Sequence, residues 1–218
     1  MTVSAAMSVR GERLSHRFGR RATGIAAMEF AFDGPGAVAV TGPNGSGKST
    51  LLRILAGLLR PSEGTTAITV GGRELALDRR RTVIGLATPE LAFYEEFTAT
   101  ENLVFAAETH GLGEPRRSAG QALDLVGLSP RANDRVAAYS SGMKQRLRLA
   151  FALLNEPPVL MLDEPGSHLD DAGRAVVRAV VARQAMRGLV FIATNDPQEI
   201  QLAERFLELH GRGLGDPT

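Results

Sequence analysis

Short apolar runs alternate with segments of helical periodicity along this chain. Four of these runs have the length and composition of buried strands: residues 37–40, 82–87, 159–162 and 189–193. Helical spacing of apolar positions occupies the segments between them: residues 51 to about 59, 100–126, 143–154 and 176–181. Gly111, Gly113 and Pro115 are expected to interrupt the second of these segments. Buried strands that alternate with helices favour a mostly parallel sheet that is covered on both faces. The pattern therefore predicts an α/β fold.

The residues ahead of the first buried run have a different pattern. Residues 9–14 are interpreted as a short strand, and residues 27–32 alternate with period two. A turn at 61–64 separates the helix that ends near Leu59 from a further strand at 65–70. These features predict short strands and turns around the parallel core.

Composition and charge narrow the range of functions. The chain has 218 residues, enough for one domain with a sizeable core, and its formal net charge is +1. Such a balance gives no strong field for nucleic acid, so we expect no nucleic-acid partner. The sequence has no cysteine, which excludes disulfides and fits a reducing compartment. Residues 1–10 lack the apolar core of a signal peptide, and no apolar run has the length of a membrane span.

One stretch after the first apolar run fits the phosphate-binding pattern G-x-x-x-x-G-K-[ST] at every fixed position. It consists of Gly42, Pro43, Asn44, Gly45, Ser46, Gly47, Lys48, Ser49 and Thr50. A strand precedes it and a helix follows it, as that loop requires. Its main-chain N–H groups and Lys48 would hold phosphates, and the Ser49 hydroxyl would bind Mg²⁺. A glycine-rich turn without a ligand is the alternative, but all the required residues are in register.

A second motif lies at the end of the third apolar run, where Asp163 and Glu164 follow residues 158–162. Parallel strands present functional residues at their carboxyl ends, so both acids are expected to face the phosphate loop. We expect Asp163 to hold Mg²⁺ through its water shell and Glu164 to accept a proton from an attacking water. The alternative is a strand that happens to end in a charged turn.

The segment between the two motifs, residues 139–146, reads Tyr-Ser-Ser-Gly-Met-Lys-Gln-Arg. Alone it predicts a helix N-terminus capped by Ser140 or Ser141. In this position it resembles the signature motif of ATP-binding-cassette (ABC) ATPases, and the three ordered motifs together resemble one complete nucleotide-binding subunit from about residue 9 to 209. The resemblance implies a P-loop NTPase core with a mostly parallel sheet, an N-terminal antiparallel β subdomain and an inserted helical subdomain.

The resemblance also implies an organisation and further site residues. It implies a single nucleotide-binding domain over 1–218, with a core at about 8–88 and 146–210, helical insertion at about 90–145 and a tail at 211–218. Phe18 matches the aromatic residue that stacks on adenine, the alternative being core packing. Residues 167–170 match a loop that crosses the dimer interface. Ser140 and Gly142 would contact the ATP of a second subunit packed head to tail, which fits the affinity of free helix N-termini for anions.

Three positions depart from the family pattern. Asn195 occupies the place of a histidine that contacts the γ-phosphate; its amide can donate a hydrogen bond but carries no charge. Pro89 falls where the family has a glutamine, so Glu90 or a water would replace that ligand. Met143 replaces the usual glutamine of the signature. His168 could substitute for the missing histidine across the interface, the alternative being a surface residue. We expect ATP binding and dimerisation to persist and hydrolysis to be slower.

The sequence therefore predicts an ATP-hydrolysing subunit of a membrane transporter, with ATP and Mg²⁺ as cofactors. Its partners would be a second copy or a paired ABC subunit and a separate transmembrane permease, which would place it in the cytoplasm on the inner face of the membrane. Residues 91–97 would line the docking groove, or complete the local core. Residues 97–103 are most similar to haem-exporter ATPases of cytochrome c maturation. The other classes considered are an ATP-dependent clamp or switch with little hydrolysis, a soluble ATPase switch, and a P-loop kinase.

Overall fold

The fold consists of two sheets with helices packed around them. A computed structural model describes residues 7–18 and 22–210 of the chain; the tail predicted at 211–218 lies outside the described residues. The strands are β1 (Met7–Phe18), β2 (Ala22–Asp33), β3 (Gly36–Thr41), β4 (Glu63–Val70), β5 (Arg73–Glu74), β6 (Ile84–Ala87), β7 (Val159–Asp163), β8 (Leu189–Ala193) and β9 (Arg205–Glu208). The α-helices are α1 (Lys48–Leu55), α2 (Leu77–Arg80), α3 (Ala99–Thr109), α4 (Pro115–Leu125), α5 (Ser141–Leu153), α6 (Asp171–Ala185) and α7 (Pro197–Ile200).

The central sheet is parallel, with strand order β6-β7-β8-β3-β9. Every residue of β7 and of β8 is buried, because helices cover both faces of the sheet. The order places β7 and β3 on either side of β8, so the carboxyl ends of these three strands meet at one edge. The phosphate loop begins directly after β3, the acid pair spans the end of β7, and Asn195 lies two residues after β8.

The second sheet is antiparallel, with order β2-β1-β4-β5. Its strands β1 and β2 are longer than the sequence pattern predicts. Shifts in the register between these two strands let both continue through positions where the alternation of apolar and polar residues is broken. The inner face of this sheet packs on α1 and the core strands through residues such as Val9, Leu14 and Ile25, all fully or almost fully buried.

The helix after the phosphate loop ends earlier than predicted. The sequence places its end near Leu59, whereas α1 ends at Leu55. Gly57 has a φ of 76° and follows the last turn, so a left-handed glycine ends the helix before Pro61 can. The helical stretch predicted at 100–126 divides into α3 and α4 around Gly111, which has a φ of 71°.

Candidate functional site

The phosphate loop curls around the N-terminus of α1. Gly47 precedes Lys48 with a φ of 102°, and a Cβ at Gly47 would lie 2.0 Å from the carbonyl oxygen of Gly24, so only glycine fits there. Within the described residues no side chain caps the N-terminus of α1, which leaves its N–H groups available to an anion. The Ser46 hydroxyl is buried without a hydrogen-bond partner among the described residues. A bound phosphate would supply acceptors for these groups.

The ammonium of Lys48 lies inside this loop. Its Nζ donates to the carbonyl oxygens of Gly42 at 2.8 Å and Pro43 at 3.3 Å. Burial lowers the pKa of Lys48, and the nearby carboxylates of Glu164 and Asp163 act in the opposite direction. Lys48 is therefore the cation between the loop and the two acids.

Asp163 is the buried member of the acid pair, at 3% exposure. Burial raises its pKa, and a hydrogen bond with the Ser49 side chain partly offsets that rise. Ser49 and Asp163, which the sequence predicts as the Mg²⁺ ligands, therefore lie next to each other in the fold, although they are far apart in the chain. Among the described residues there is no group of three or more His, Asp and Glu side chains suited to a metal. The donor set fits a Mg²⁺ ion that keeps several waters and phosphate oxygens as ligands.

Glu164 is exposed and turns away from the strand. Its φ is 48°, uncommon for a residue with a side chain, and its N–H donates to the carbonyl of Ala193 at 2.9 Å. Ser167 donates a long hydrogen bond of 3.5 Å to its carboxylate. Glu164 and Ser167 line a cavity of about 180 Å³, and Asn44 and Asn195 line the same cavity. The carboxylate therefore faces open space beside the phosphate loop.

Asn195 lies at the end of β8 and faces the same cavity. Its Nδ2 donates to Oδ1 of Asn44 in the phosphate loop at 2.8 Å. The structure thus brings together the loop, the acid pair and Asn195. His168, by contrast, is exposed on the loop after β7 with a φ of 63°.

Phe18 is not part of the core, because its side chain is 51% exposed at the end of β1. Its ring packs edge-on against His16, with centroids 4.6 Å apart, and leaves no room for a Cβ on Gly24. The carbonyl of Gly24 lies beneath Gly47. Gly24 therefore lies between Phe18 and the phosphate loop.

Ser140 and Gly142 lie at the N-terminus of α5. Ser140 is the N-cap and accepts from the N–H of Met143 at 3.2 Å, as the sequence predicts. A Cβ on Gly142 would lie 3.1 Å from the carbonyl of His168, so this helix end packs against the loop after β7. The described contacts of Ser140 and Gly142 do not include their own phosphate loop.

Pro89 and Glu90, at and beside the position of the family's glutamine, are both exposed. The Glu90 carboxylate is paired with Arg53, which lies one helical turn after Ser49 on α1. The negative charge of Glu90 contributes to the raised pKa of Asp163, so it lies near the acid pair without being bonded to it.

Sequence reasoning missed two polar side chains that hold the site together. Gln145 on α5 donates to the carbonyls of Glu164 at 3.2 Å and Pro165 at 3.1 Å. Glu199 on α7 accepts from the N–H of Gly166 at 2.6 Å. Glu199 follows the N-cap Asp196 at the spacing of a capping box, so its local pattern suggests only a helix start.

The comparisons with known proteins agree with this site. The family model described as "ABC transporter" matches residues 26–167, more than half of the chain. The chain belongs to the ABC transporter family. The α/β fold and the resemblance inferred from the sequence are both confirmed.

Three similar proteins carry names of ATP-binding proteins. YxlF of Bacillus subtilis, an uncharacterised ABC transporter ATP-binding protein, is 48% identical over 63% of this chain and 45% of its own length. The linearmycin resistance ATP-binding protein LnrL of the same organism is 32% identical over 88% of this chain and 62% of its own length. CcmA of Nitrobacter winogradskyi, a cytochrome c biogenesis ATP-binding export protein, is 36% identical over 86% of this chain and 90% of its own length.

Solved ABC structures have the same fold. The ATP-binding cassette MJ0796, in a dimeric post-hydrolysis state bound to ADP and Pi, superposes with a TM-score of 0.81 over 92% of this chain and 94% of the cassette, at 24% identity. This chain spans 45% to 62% of the length of the first three curated relatives it matches. No helix in the described part of the chain is both long and apolar enough to cross a membrane.

Proposed function

We propose that this chain is the ATP-binding and ATP-hydrolysing subunit of a membrane transporter. The proposal rests mainly on one observation. The Ser49 side chain lies next to the Asp163 carboxylate, and both are near the Lys48 ammonium, within the fold of an ABC cassette. A phosphate cradle, a cation and a Mg²⁺ donor pair at one edge of the sheet are the parts that phosphoryl transfer requires.

Each site residue has a role in this proposal. The phosphate loop, residues 42–50, would bind the β- and γ-phosphates through its main-chain N–H groups, which Pro43 lacks, and through Lys48, while Ser49 and Asp163 would hold Mg²⁺. When bound, Mg²⁺ neutralises charge that develops on the phosphate oxygens. Glu164 takes a proton from the water that attacks the γ-phosphate, since its carboxylate faces the cavity next to the loop. Asn195 orients the γ-phosphate by donating an amide hydrogen bond, and Phe18 stacks on adenine.

The same proposal includes a head-to-tail dimer, formed by two copies or by this chain and a related ABC subunit. Ser140 and Gly142 then complete the site of the partner, because their helix end packs against the loop at His168 instead of their own phosphate loop. The cassette MJ0796, which has this fold, is described as dimeric in two solved structures. In this proposal the single nucleotide-binding domain consists of a core at about 8–88 and 146–210 and a helical insertion at about 90–145.

The docking face for a transmembrane permease is proposed at residues 91–97. Tyr94 and Phe97 are 54% and 44% exposed, so they do not complete the local core. Tyr94 contacts Phe97 and Phe105, with ring centroids 5.4 and 5.8 Å apart, and these three residues form an aromatic patch. Docked there, the chain would lie on the cytoplasmic face of the membrane.

The docking segment is bonded to the signature helix. Lys144 on α5 pairs with Glu95 at 2.5 Å, and Arg148 on the same helix donates to the carbonyl of Leu91 at 2.9 Å. A shift of the permease against the aromatic patch would therefore move the helix end that is proposed to contact the ATP of the partner. This is a physical route for coupling hydrolysis to transport.

Phosphate release from ATP tests the function. The purified chain is incubated with ATP and Mg²⁺, alone and with a multi-span membrane protein encoded next to it, reconstituted in vesicles. We expect hydrolysis that needs Mg²⁺, is abolished by Glu164→Gln and rises with the permease. Tight ATP binding without phosphate release under either condition would instead identify an ATP-dependent clamp.

A further inference from the structure

Glu199 is a buried carboxylate that the proposed mechanism does not use. Its side chain is 6% exposed, although α7 lies near the surface. Its Oε1 accepts from the N–H of Gly166 at 2.6 Å, and the Thr194 side chain lies close enough to its carboxylate to lower its pKa. The carboxylate therefore bonds the segment that follows Glu164 and lies beside the segment that precedes Asn195.

Gly166 is shaped for this contact. A Cβ at Gly166 would lie 2.2 Å from Oε1 of Glu199, closer than two such atoms can approach. Gly166 does not have a positive φ, so its backbone conformation alone does not require glycine. A side chain at Gly166 would instead require the Glu199 carboxylate to move, because that carboxylate lies directly against the main chain.

The two segments that Glu199 joins are anchored further on both sides. Gln145 of the signature helix holds the carbonyls of Glu164 and Pro165. Asn195 is bonded to Asn44 in the phosphate loop. Glu199 is thus the middle connection of a hydrogen-bonded path from the signature helix to the phosphate loop.

The donors around Glu199 suit its ionised form. Burial raises the pKa of Glu199, whereas the hydrogen bonds from Thr194 and Gly166 lower it. The neighbouring charges are Asp196, which raises this pKa, and Arg174, which lowers it and is paired with Asp196 at 2.6 Å. A carboxylate is an acceptor only, so an ionised Glu199 can serve both donors at once.

We propose that Glu199 is a positioning residue for ATP hydrolysis, which fixes the main chain at Gly166 and thereby aims Glu164 at the same point as Asn195. The proposal rests on the function proposed above, in which Glu164 and Asn195 act at the γ-phosphate. Glu199 is not expected to contact ATP. Its effect should therefore appear in the rate of the chemical step, not in nucleotide affinity.

The first test compares Glu199→Ala and Glu199→Gln in the whole chain. We expect Glu199→Ala to lower the single-turnover rate at saturating Mg²⁺–ATP roughly tenfold to a hundredfold, because a small misplacement of a reacting group has that effect. The Kd for ATP, measured by calorimetry with EDTA present to prevent turnover, should stay within about twofold, since the phosphate cradle is untouched. Glu199→Gln should recover part of the rate, because its amide oxygen can still accept one of the two hydrogen bonds.

A double-mutant cycle with Gly166→Ala separates positioning from a general loss of structure. Gly166→Ala alone should lower the rate as Glu199→Ala does, because the new methyl group displaces the carboxylate. In the Glu199→Ala background the same change should have no further effect, since the atom that it meets is gone and the next contact, with Arg174, is at 3.5 Å. If Glu199→Ala alone is too unstable to purify, Glu199→Ser can replace it in the cycle, because serine also lacks the terminal atoms that the new methyl group meets.

Glu204→Ala is the matched control. The Glu204 carboxylate also accepts a hydrogen bond from a main-chain N–H, that of Ala37 at 3.3 Å. Ala37 lies at the start of β3, whereas the phosphate loop follows the other end of that strand. Unchanged rates in Glu199→Ala, or rate losses in the two single variants that multiply in the double variant, would overturn the positioning role. So would a loss confined to the Kd. If the wild-type chain released no phosphate at all, the proposed function would fall, and this proposal with it.

Discussion

The side-chain amide of Asn195 donates to Oδ1 of Asn44 at 2.8 Å, which joins the end of β8 to the phosphate loop. These residues are 151 positions apart in the chain. The contact places an amide donor, in the position where the family has a histidine, against the loop that is proposed to hold the γ-phosphate. An amide that already reaches the loop can bind a phosphate oxygen with a small rotation of its side chain.

We predict that Asn195→Ala lowers the single-turnover rate of ATP hydrolysis ten- to a hundredfold. This corresponds to the loss of one hydrogen bond to a charged acceptor, about 1.5–3 kcal/mol. Asn195→His should change the rate little, because it restores a donor of similar reach. The control is Asn155→Ala, whose amide donates to the carbonyl of Thr82 at 2.9 Å, near the start of β7 and away from the site. An unaltered rate for Asn195→Ala would remove Asn195 from the catalytic residues.

Lys48→Ala should abolish tight ATP binding. The substitution removes the ammonium that lies between the phosphate loop and the acid pair, and the Asp163 and Glu164 charges then repel the phosphates without compensation. The sequence contains one other lysine, Lys144, which pairs with Glu95 at 2.5 Å. Lys144→Ala should leave the affinity of the isolated chain unchanged. Calorimetric titration of both variants with ATP measures the difference, and equal affinities would contradict the assignment.

For Glu164→Gln we predict retained ATP binding and a stable ATP-bound dimer. The change keeps the shape of the side chain but removes the base, so the closed state should persist. Light scattering with ATP and Mg²⁺ measures the dimer. Glu156→Gln, which alters an exposed ion pair with Arg187, is the control and should behave like the wild type. A Glu164→Gln protein that stays monomeric, where the wild type dimerises, argues against the head-to-tail arrangement.

Substitution of the aromatic patch should separate docking from ATP binding. We predict that Tyr94→Ser with Phe97→Ser weakens association with the permease at least tenfold, because the two rings are large apolar surfaces of the kind that dominate interfaces. ATP affinity should be unchanged, since neither residue lines the cavity at Asn195 and Glu164. Phe206→Ser is the matched control, because Phe206 is also exposed but lies on the edge strand β9. Equal loss in the control would assign the effect to general surface hydrophobicity.

Much of the fold could be predicted because its signals are local. The periodicity of apolar positions reports which strands are buried on both faces, and β7 and β8 appear where it places them. Helix boundaries were less well predicted. The sequence indicated that α1 cannot continue past Pro61, but α1 ends earlier, because Gly57 adopts a left-handed conformation after the last turn.

The candidate site divides in the same way. The sequence indicated phosphate binding from the glycine spacing before Lys48, and metal binding from the two acids that end an apolar strand. Both signals are local, because the curvature of a loop and the end of a strand depend on neighbouring residues. The bonds of Glu199 with Gly166 and of Asn195 with Asn44, and the position of Gly24 between Phe18 and Gly47, required the tertiary structure.

By itself the sequence determined which segments form the buried strands and which of them end in functional residues. Only the tertiary structure decided that β8 lies between β7 and β3, and this order is what brings Glu164, Asn195 and Asn44 of the phosphate loop to one cavity. The physical reason is that a periodic pattern specifies which face of an element is buried, not which distant element covers it. Buried polar side chains such as Glu199 find their partners only after that packing is complete.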